Sequence, residues 1–385
     1  MTPSIFLRIT DGKLILWDYR RHAQYEIDLP HVARLVALSA VEGHDTAVAA
    51  IDAEIRASKI LDDPEPEAWE WDCLARIFHV GSQISHSSAA TRQTSGATDA
   101  AETTVTADTD TDTDTDTDTD TDTDTGAYRG YVDYCASIVD RIPEMHIELP
   151  GAAIALPSPE LDSLAGISLW DALVARRTCR EFHARSIELS RVSTALWATF
   201  GAVHGAQRTD LLECGLMPVG YRRTSPSGGS LHPSEPYLVA LRVDGLDPGI
   251  YHYRSRTHAL TRVAPAPEPG RLGAMLCAQT FAEDLAYGIF VVSRFDKMWW
   301  KYPHSRAYRV ALFDIGCLIQ TFQLTCAAQG IQSWPTGYFA DHEINRWLEL
   351  DDARHSVMFF LGAGIGSGCV AREALAAIRD SVRGD

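Results

Sequence analysis

The sequence has no C-x-x-C pair and no compact group of cysteine with histidine. Its eight cysteines, Cys73, Cys135, Cys179, Cys214, Cys277, Cys317, Cys326 and Cys369, stand far apart. Such spacing in a chain of this size reads as reduced, packed thiols, and no metal site is expected. A basic tail is also missing: 34 Lys+Arg face 52 Asp+Glu, for a formal charge of -18. Leaving out the nine aspartates that alternate from Asp108 to Asp124 brings the charge to about -9, an ordinary acidic surface that speaks against a nucleic-acid partner. The start, Met1-Thr2-Pro3-Ser4 followed by Ile5 to Ile9, has neither a basic n-region nor a long apolar core. No apolar stretch stands out at the length of a membrane span, so no membrane partner and a cytoplasmic location are expected.

What is present is a 385-residue, 45% hydrophobic chain, enough for a sizeable core and roughly two or three domains. Residues 5–29 hold three strand-like runs, the first two joined by Asp11-Gly12, a hairpin signal. Helical runs follow at Val32–Leu38, Thr46–Ile55 and Ala68–Val80, giving a small domain over 1–82 with the element order of a winged-helix or peptide-recognition module, or of a structural cap. From 83 to 126 the composition falls to Ser, Thr, Ala, Gly and Asp, which predicts an extended, disordered linker because it cannot bury apolar area against its ordering entropy. Residues 127–160 read as a connecting segment.

The main body is expected over 161–385. Ser168-Leu169-Trp170-Asp171 is a capping box opening a short helix, and a second helix spans Ser190 to about Val203. Strands are predicted at Tyr237–Val243, Ile250–Tyr253, Ala259–Val263, Gly288–Phe295 and Val357–Leu361. Helices are predicted at Leu272–Gln279, Ala340–Leu350 and Ala371–Val382. Arg306–Gln329 is a long helix, apolar almost all round, that belongs in a domain centre or a dimer interface. Hairpin-linked strands flanked by helices give an α+β fold.

Three features carry chemistry. Arg176, Arg177 and Arg180, with the Thr178 hydroxyl between them, can clamp a phosphate through bidentate charge-assisted bonds; the alternative is a solvated basic helix end. The stretch from Tyr221 to Tyr237 contains Pro226-Ser227-Gly228-Gly229-Ser230 and then His232, a rigid loop that can cradle a flat polar ligand or simply join a helix to a strand. Trp299-Trp300-Lys301-Tyr302-Pro303 reads as a loop after a strand, where an ammonium beside a phenol favours the phenolate, or where aromatics pack at an interface. Gly362-Ala363-Gly364-Ile365-Gly366 follows a strand too near the C-terminus for a dinucleotide fold and is expected to be a flexible closing loop.

Arg-Arg-Thr-x-Arg-x-Phe at 176–182, Arg-Arg-Thr-Ser-Pro-Ser-Gly-Gly-Ser-Leu-His-Pro at 222–233, Pro248-Gly249-Ile250-Tyr251-His252-Tyr253, Lys301-Tyr302 and Tyr308-Arg309 together resemble the SagB/ThcOx-type dehydrogenases. These are a branch of the FMN-dependent nitroreductase superfamily that oxidises azoline rings in ribosomal peptides. The resemblance covers about 161–385 and implies a nitroreductase-like antiparallel sheet flanked by helices, and a homodimer with FMN at its interface. It implies that Arg176, Arg177, Thr178 and Arg180 hold the flavin phosphate and ribitol. Pro226, Ser227, Gly228, Gly229, Ser230 and His232 would line the flavin, with Glu235 near, and Gly362 and Gly364 would lie close to it. Lys301 and Tyr302 match the pair used in azoline oxidation. A precursor peptide and a cyclodehydratase are the implied partners. Asp314 to Thr321 depart from the family pattern, where Glu-x-Gly and a Gln-Asn pair are usual. Two other readings stand beside this one: a reductase using NAD(P)H on a small or dehydroamino-acid substrate, and a non-catalytic scaffold that docks a peptide through its N-terminal part.

Overall fold

A computed structural model describes residues 4–39, 49–62, 72–83, 122–204 and 209–367. Most of the linker expected over 83–126, and the terminal helix expected at Ala371–Val382, lie outside these residues. The chain divides into two compact units, one of Met1–Thr91 with His304–Arg306 and a larger one of Arg92–Pro303 with Ala307–Asp385.

In the N-terminal unit the three apolar runs form β1 (Ile5–Thr10), β2 (Lys13–Asp18) and β3 (Ala23–Ile27), paired antiparallel in that order. Asp11 and Gly12 both take positive φ, +51° and +77°, as the two-residue turn between right-twisted strands requires. Helices α1 (Leu29–Ser39), α2 (Ala49–Ala57) and α3 (Cys73–Gly81) follow. Leu16, Leu35, Ile55 and Ile60 form a small core, and Arg34 makes a buried two-pronged contact with Asp52 across α1 and α2.

The larger unit opens with α4 (Asp122–Ser137), followed by strand β4 (Ala153–Ala155) and helices α5 (Leu161–Ala165) and α6 (Leu169–Ala175). Ser168 caps α6 as its sequence predicts, accepting from the Asp171 amide at 3.1 Å. Then come β5 (Ile187–Glu188), α7 (Leu189–Phe200), α8 (Thr209–Glu213), β6 (Ser234–Ala240), β7 (Val243–Asp244), β8 (Gly249–Arg254), β9 (Ala259–Pro265) and α9 (Arg271–Met275). The chain continues through β10 (Tyr287–Arg294), α10 (Phe295–Lys301), α11 (Arg306–Ala328), β11 (Gln332–Thr336), α12 (Asp341–Trp347) and β12 (His355–Gly364).

Seven strands form one antiparallel sheet in the order β11-β12-β10-β6-β8-β9-β4. The stretch read as a connection before residue 161 thus supplies an edge strand. Alternation sends Leu238, Ala240, Ile289 and Val291 to one face, where they pack with Val192 and Leu196 of α7 and Ile315, Leu318 and Phe322 of α11. Tyr237, Val239, Phe290 and Val292 go to the other face, packed with Leu272 and Met275 of α9 and Ile344 of α12. The α+β expectation holds, with helices on both faces.

Three local expectations are corrected. The Trp299–Lys301 stretch is the last part of α10 rather than a loop. Gly362 and Gly364 end strand β12 instead of forming a flexible loop, because they pair with Gly288 of β10 and with Trp334 and Gln332 of β11; glycine is needed there since a Cβ at Gly362 would stand 2.8 Å from Leu285 and one at Gly364 3.0 Å from Phe182. Of the two places expected for helix α11, the domain centre does not enclose it on every side: in the single chain Leu312 and Phe313 are 40% and 68% exposed on the side away from Asp314, Ile315 and Leu318. This 23-residue helix is also long and apolar enough by composition to cross a membrane, against the expectation that no stretch is, yet its Asp314 and Gln323 are buried within the unit.

Candidate functional site

The arginine segment and the glycine-rich strand end come together at one end of the sheet. Cys179 donates its amide to Ser333 of β11 at 2.9 Å, His183 donates to the Ile365 carbonyl at 2.9 Å, and Thr178 bridges Ser333 in parallel. Arg176 is half-buried, while Arg177 and Arg180 are exposed. Among the described residues none of the three makes an ion pair, and Arg177 donates only to the Arg176 carbonyl, at 2.8 Å. Guanidinium groups without carboxylate partners retain their donors for an external anion. Gly362 and Gly364 lie beside this segment, and their missing side chains are filled by the protein's own Leu285, Trp334 and Phe182.

The Ser/Gly loop and the Lys-Tyr pair come together at the other end. Ser234, the first residue of β6, pairs with Ser293 of β10, which pairs with Ser356 of β12. Ser333, beside the arginine segment, pairs with Ala363. The strand between Ser356 and Ala363 sets the two groups roughly 20 Å apart. Helix α11 gives a second ruler: the loop meets it at Val310 and Asp314, whereas its far end leads into β11.

Helix α11 fixes the loop. Asp314 accepts from the Ser227 hydroxyl at 2.5 Å and the Gly228 amide at 3.1 Å, and Ser227 Oγ in turn accepts the His232 amide at 2.9 Å. Ser225 and Thr321 share a 2.7 Å hydroxyl contact, and Thr224 donates to the Ala198 carbonyl. So the two helix positions that depart from the family pattern bind the loop directly. Burial pushes the Asp314 carboxyl up, against the lowering effect of its Ser227 and Gly228 donors. Gly229, Ser230 and His232 all take left-handed φ, +60°, +57° and +45°. For the two residues with a Cβ this costs about 1–2 kcal/mol each, which the Ser227–Asp314 hydrogen bonds offset. Gly229 is required at its place, since a Cβ there would lie 2.3 Å from Tyr302 Oη. Pro226 is exposed at the loop's outer edge.

His232 is 4% exposed, stacked on Tyr221 with centroids 5.8 Å apart, and its Nε2 has no hydrogen-bond partner among the described residues. Burial, with Arg223 and Lys297 nearby, lowers its pKa to about 2, so the ring is neutral. Beneath it, buried Lys297 donates to Glu235 at 2.9 Å, and Glu235 also meets His252 at 3.3 Å. Burial alone would raise the Glu235 carboxyl, but the Lys297 charge and His252 hold it below the usual carboxylate range. Arg223, also buried, donates to the Ser234 carbonyl and to Ser255 Oγ and lies over the Phe200 ring.

Lys301 and Tyr302 do not act on one another as the sequence predicts. The Lys301 ammonium is buried and donates to the carbonyls of Gly215 and Leu216 at 3.2 and 3.0 Å, and burial lowers its pKa. Tyr302 meets Tyr131 of α4 instead, Oη to Oη at 3.0 Å, and burial raises its phenol above its ordinary value. Tyr302 is therefore a protonated phenol at neutral pH. Sequence reading missed Tyr131, Asp314 as a loop anchor and the Lys297–Glu235 pair. One signal was available: the chain has only four lysines, and two of them, Lys297 and Lys301, stand one helical turn apart right after an apolar strand. Among the described residues no group of acidic, histidine and cysteine side chains could hold a metal ion.

Comparison with known proteins adds the following. The sequence model described as "Nitroreductase family" matches residues 173–365, half of the chain. A protein of Methanocaldococcus jannaschii named as a nitroreductase is 25% identical over 193 residues, covering 50% of this chain and 90% of its own length. The trifolitoxin-processing protein TfxB of Rhizobium leguminosarum bv. trifolii is 25% identical over 159 residues, 40% of this chain, and the trifolitoxin operon protein TfxC is 21% identical over 207 residues, 52% of this chain. The chain spans only 43% and 57% of those two relatives. Among solved structures, one from Ralstonia eutropha assigned to the nitroreductases gives a TM-score of 0.45 at 21% identity, covering 58% of this chain and 93% of that one. The Escherichia coli microcin synthetase McbBCD complex with truncated pro-MccB17 bound gives 0.40 at 18% identity, covering 59% and 80%.

Proposed function

Because the chain belongs to the nitroreductase family, we propose that it binds FMN between two copies of itself and serves as an oxidoreductase in the maturation of a ribosomally made peptide, of the SagB/ThcOx type, converting thiazoline or oxazoline rings to thiazole or oxazole. The observation that carries the binding reading is the separation of the two candidate groups. Three guanidinium groups without ion-pair partners among the described residues stand at one end of the sheet and the pinned Ser/Gly loop at the other, roughly 20 Å apart. A single flavin is better served by the arginine segment of one copy and the loop of a second. The exposed apolar side chains Leu169, Trp170, Leu173 and Val174 on α6, and Leu312 and Phe313 on α11, offer surface for such a pairing.

Arg176, Arg177, Thr178 and Arg180 would hold the flavin phosphate, and Ser227 to Ser230 with His232 the ring edge. The residues fit: the arginines have unused donors, and the orphaned His232 Nε2 lies in the loop's own wall. Bound FMN would supply hydride acceptance from the ring carbon. Tyr302 would exchange the accompanying proton at Oη, held in place by Gly229 on one side and Tyr131 on the other. The relative named for trifolitoxin processing supports a peptide substrate. The precursor peptide and a cyclodehydratase remain the proposed partners, the N-terminal unit the proposed peptide-docking part, and the cytoplasm the proposed location.

One observation favours the reductase reading: a phenol that stays protonated at neutral pH is better placed to give a proton than to take one. Mass spectrometry separates the two. An azoline-containing peptide should lose two hydrogens per ring under air, and Tyr302→Phe should stop that loss while flavin stays bound. Consumption of NAD(P)H with a nitro or dehydroamino-acid substrate, and an unchanged azoline peptide, would replace the oxidative reading by the reductive one. Protein that is colourless and remains so with added FMN would sink both, leaving the peptide-docking scaffold.

A further inference from the structure

Trp300, Lys301 and Tyr302, at the end of α10, each meet the same short segment, and that segment lies before the residues that match the family. Trp300 Nε1 donates to the Ile138 carbonyl at 2.9 Å. Tyr134 Oη donates to the Lys301 carbonyl at 3.2 Å. Tyr131 Oη meets Tyr302 Oη at 3.0 Å, and the Lys301 ammonium stands 5.7 Å over the Tyr131 ring. Cys135, fully buried, faces Tyr131 and lies near enough to Lys301 to feel its charge. The segment from Tyr131 to Ile138 therefore holds Trp300, Lys301 and Tyr302 one after another, while the family match starts at residue 173.

We infer that Tyr131 is a positioning residue for Tyr302, donating its hydroxyl proton to the Tyr302 oxygen and thereby fixing both the direction and the acidity of the phenol that faces Gly229. The sequence predicts direct help from Lys301, but that ammonium is spent on two backbone carbonyls. Its influence reaches Tyr302 through the Tyr131 ring, since a cation over the face of a phenol draws electron density and strengthens the hydroxyl as a donor. A donor on a phenol oxygen stabilises the phenolate over the phenol. Tyr131 opposes the burial that otherwise raises Tyr302, and it does so from outside the matched residues. The other titratable groups facing this pair are Cys135 and Tyr134 on α4 and Asp314 on α11, of which Cys135 and Asp314 disfavour the phenolate, and Cys214, which faces Lys301. Tyr131 is the group among them whose contact favours it.

The assignment of a proton-transfer role to Tyr302 rests on the proposed function; the Tyr131–Tyr302 contact does not. The test therefore has two arms. In the first, 3-fluorotyrosine is placed at position 302 of the full chain and its titration followed by 19F NMR, in the parent, in Tyr131→Phe and in Tyr134→Phe. Loss of the Tyr131 hydroxyl should move the midpoint upward by about half to one pH unit, while Tyr134→Phe, which removes only a bond to a backbone carbonyl, should leave it in place. Superimposable curves for the parent and Tyr131→Phe overturn the inference, and so does an equal shift in Tyr134→Phe, which would mark a general loosening of α4. In the second arm, turnover of an azoline peptide by the flavin-loaded protein should fall about tenfold in kcat with KM unchanged in Tyr131→Phe, its alkaline limb displaced in the same direction as the 19F midpoint. A kcat and pH profile equal to the parent's would overturn a catalytic consequence. Full turnover by Tyr302→Phe would remove Tyr302 from the chemistry and defeat the proposed function, with the 19F result standing by itself.

Discussion

The two ends of the central sheet hold their polar groups in opposite ways. At the arginine end, Arg176, Arg177 and Arg180 have no ion-pair partner among the described residues and two of them are exposed. At the loop end the polar groups are buried and joined: Asp314 to Ser227 and Gly228, Thr321 to Ser225, Lys297 to Glu235, Tyr302 to Tyr131. One end keeps its hydrogen-bonding capacity for something outside the chain, at little cost to stability. The other uses it internally, so that a backbone with left-handed Ser230 and His232 keeps one shape. Charge left open suits a mobile phosphate, and a fixed wall suits a planar ring.

If that contrast is right, substitutions at the two ends should separate stability from flavin affinity. The largest stability effect is expected from Lys297→Met, which leaves Glu235 buried beside His252 without its ammonium. Removing one partner of such a pair should cost about 3–5 kcal/mol in urea unfolding, and adding Glu235→Gln should recover part of it. Asp314→Ala should cost about 2 kcal/mol, since two donors lose a charged acceptor. A loss no greater than that of a surface substitution would mean the loop holds its shape without α11.

The loop end should also be acid-sensitive through His232. Its ring is neutral in the fold, with a pKa near 2, and takes a proton below 6.5 when unfolded. The unfolded chain binds the extra proton in that window, so stability is lost as pH falls, by about 1.4 kcal/mol per pH unit below 6.5. His232→Gln should flatten the stability–pH curve by one proton's worth between pH 6 and 4. At the arginine end, Arg176→Ala, Arg177→Ala and Arg180→Ala should each change stability by less than about 0.5 kcal/mol. Each should nonetheless weaken FMN binding, by about tenfold for a lost charge-assisted contact, as read by flavin fluorescence quenching. Equal stability losses at both ends would erase the contrast.

Much of this was legible in the sequence. The Asp11-Gly12 hairpin, the Ser168 cap, the α+β class and the rigid loop at 222–233 follow from local pattern, because turns, caps and alternation depend on neighbouring residues. What escaped depends on distant ones. Lys297 and Glu235 are 62 residues apart and Tyr131 and Tyr302 171 apart, and nothing in either neighbourhood marks the partner. Gly362 and Gly364 look like a ligand-binding loop because glycine's absence of bulk is visible in sequence, whereas the Leu285 and Phe182 that need the room are not. Lys301 beside Tyr302 suggested a charge acting on a phenol, but adjacency at the end of a helix sends the two side chains to different partners.

The measurement that bears most directly on a flavin held between two copies is sedimentation velocity of the FMN-loaded protein, followed at the flavin absorbance band and compared with the Arg176→Ala/Arg177→Ala/Arg180→Ala chain. The flavin signal should sediment wholly at twice the chain mass, and the arginine-substituted protein should remain a dimer of that size without colour. Flavin absorbance travelling with a single chain would contradict the shared site.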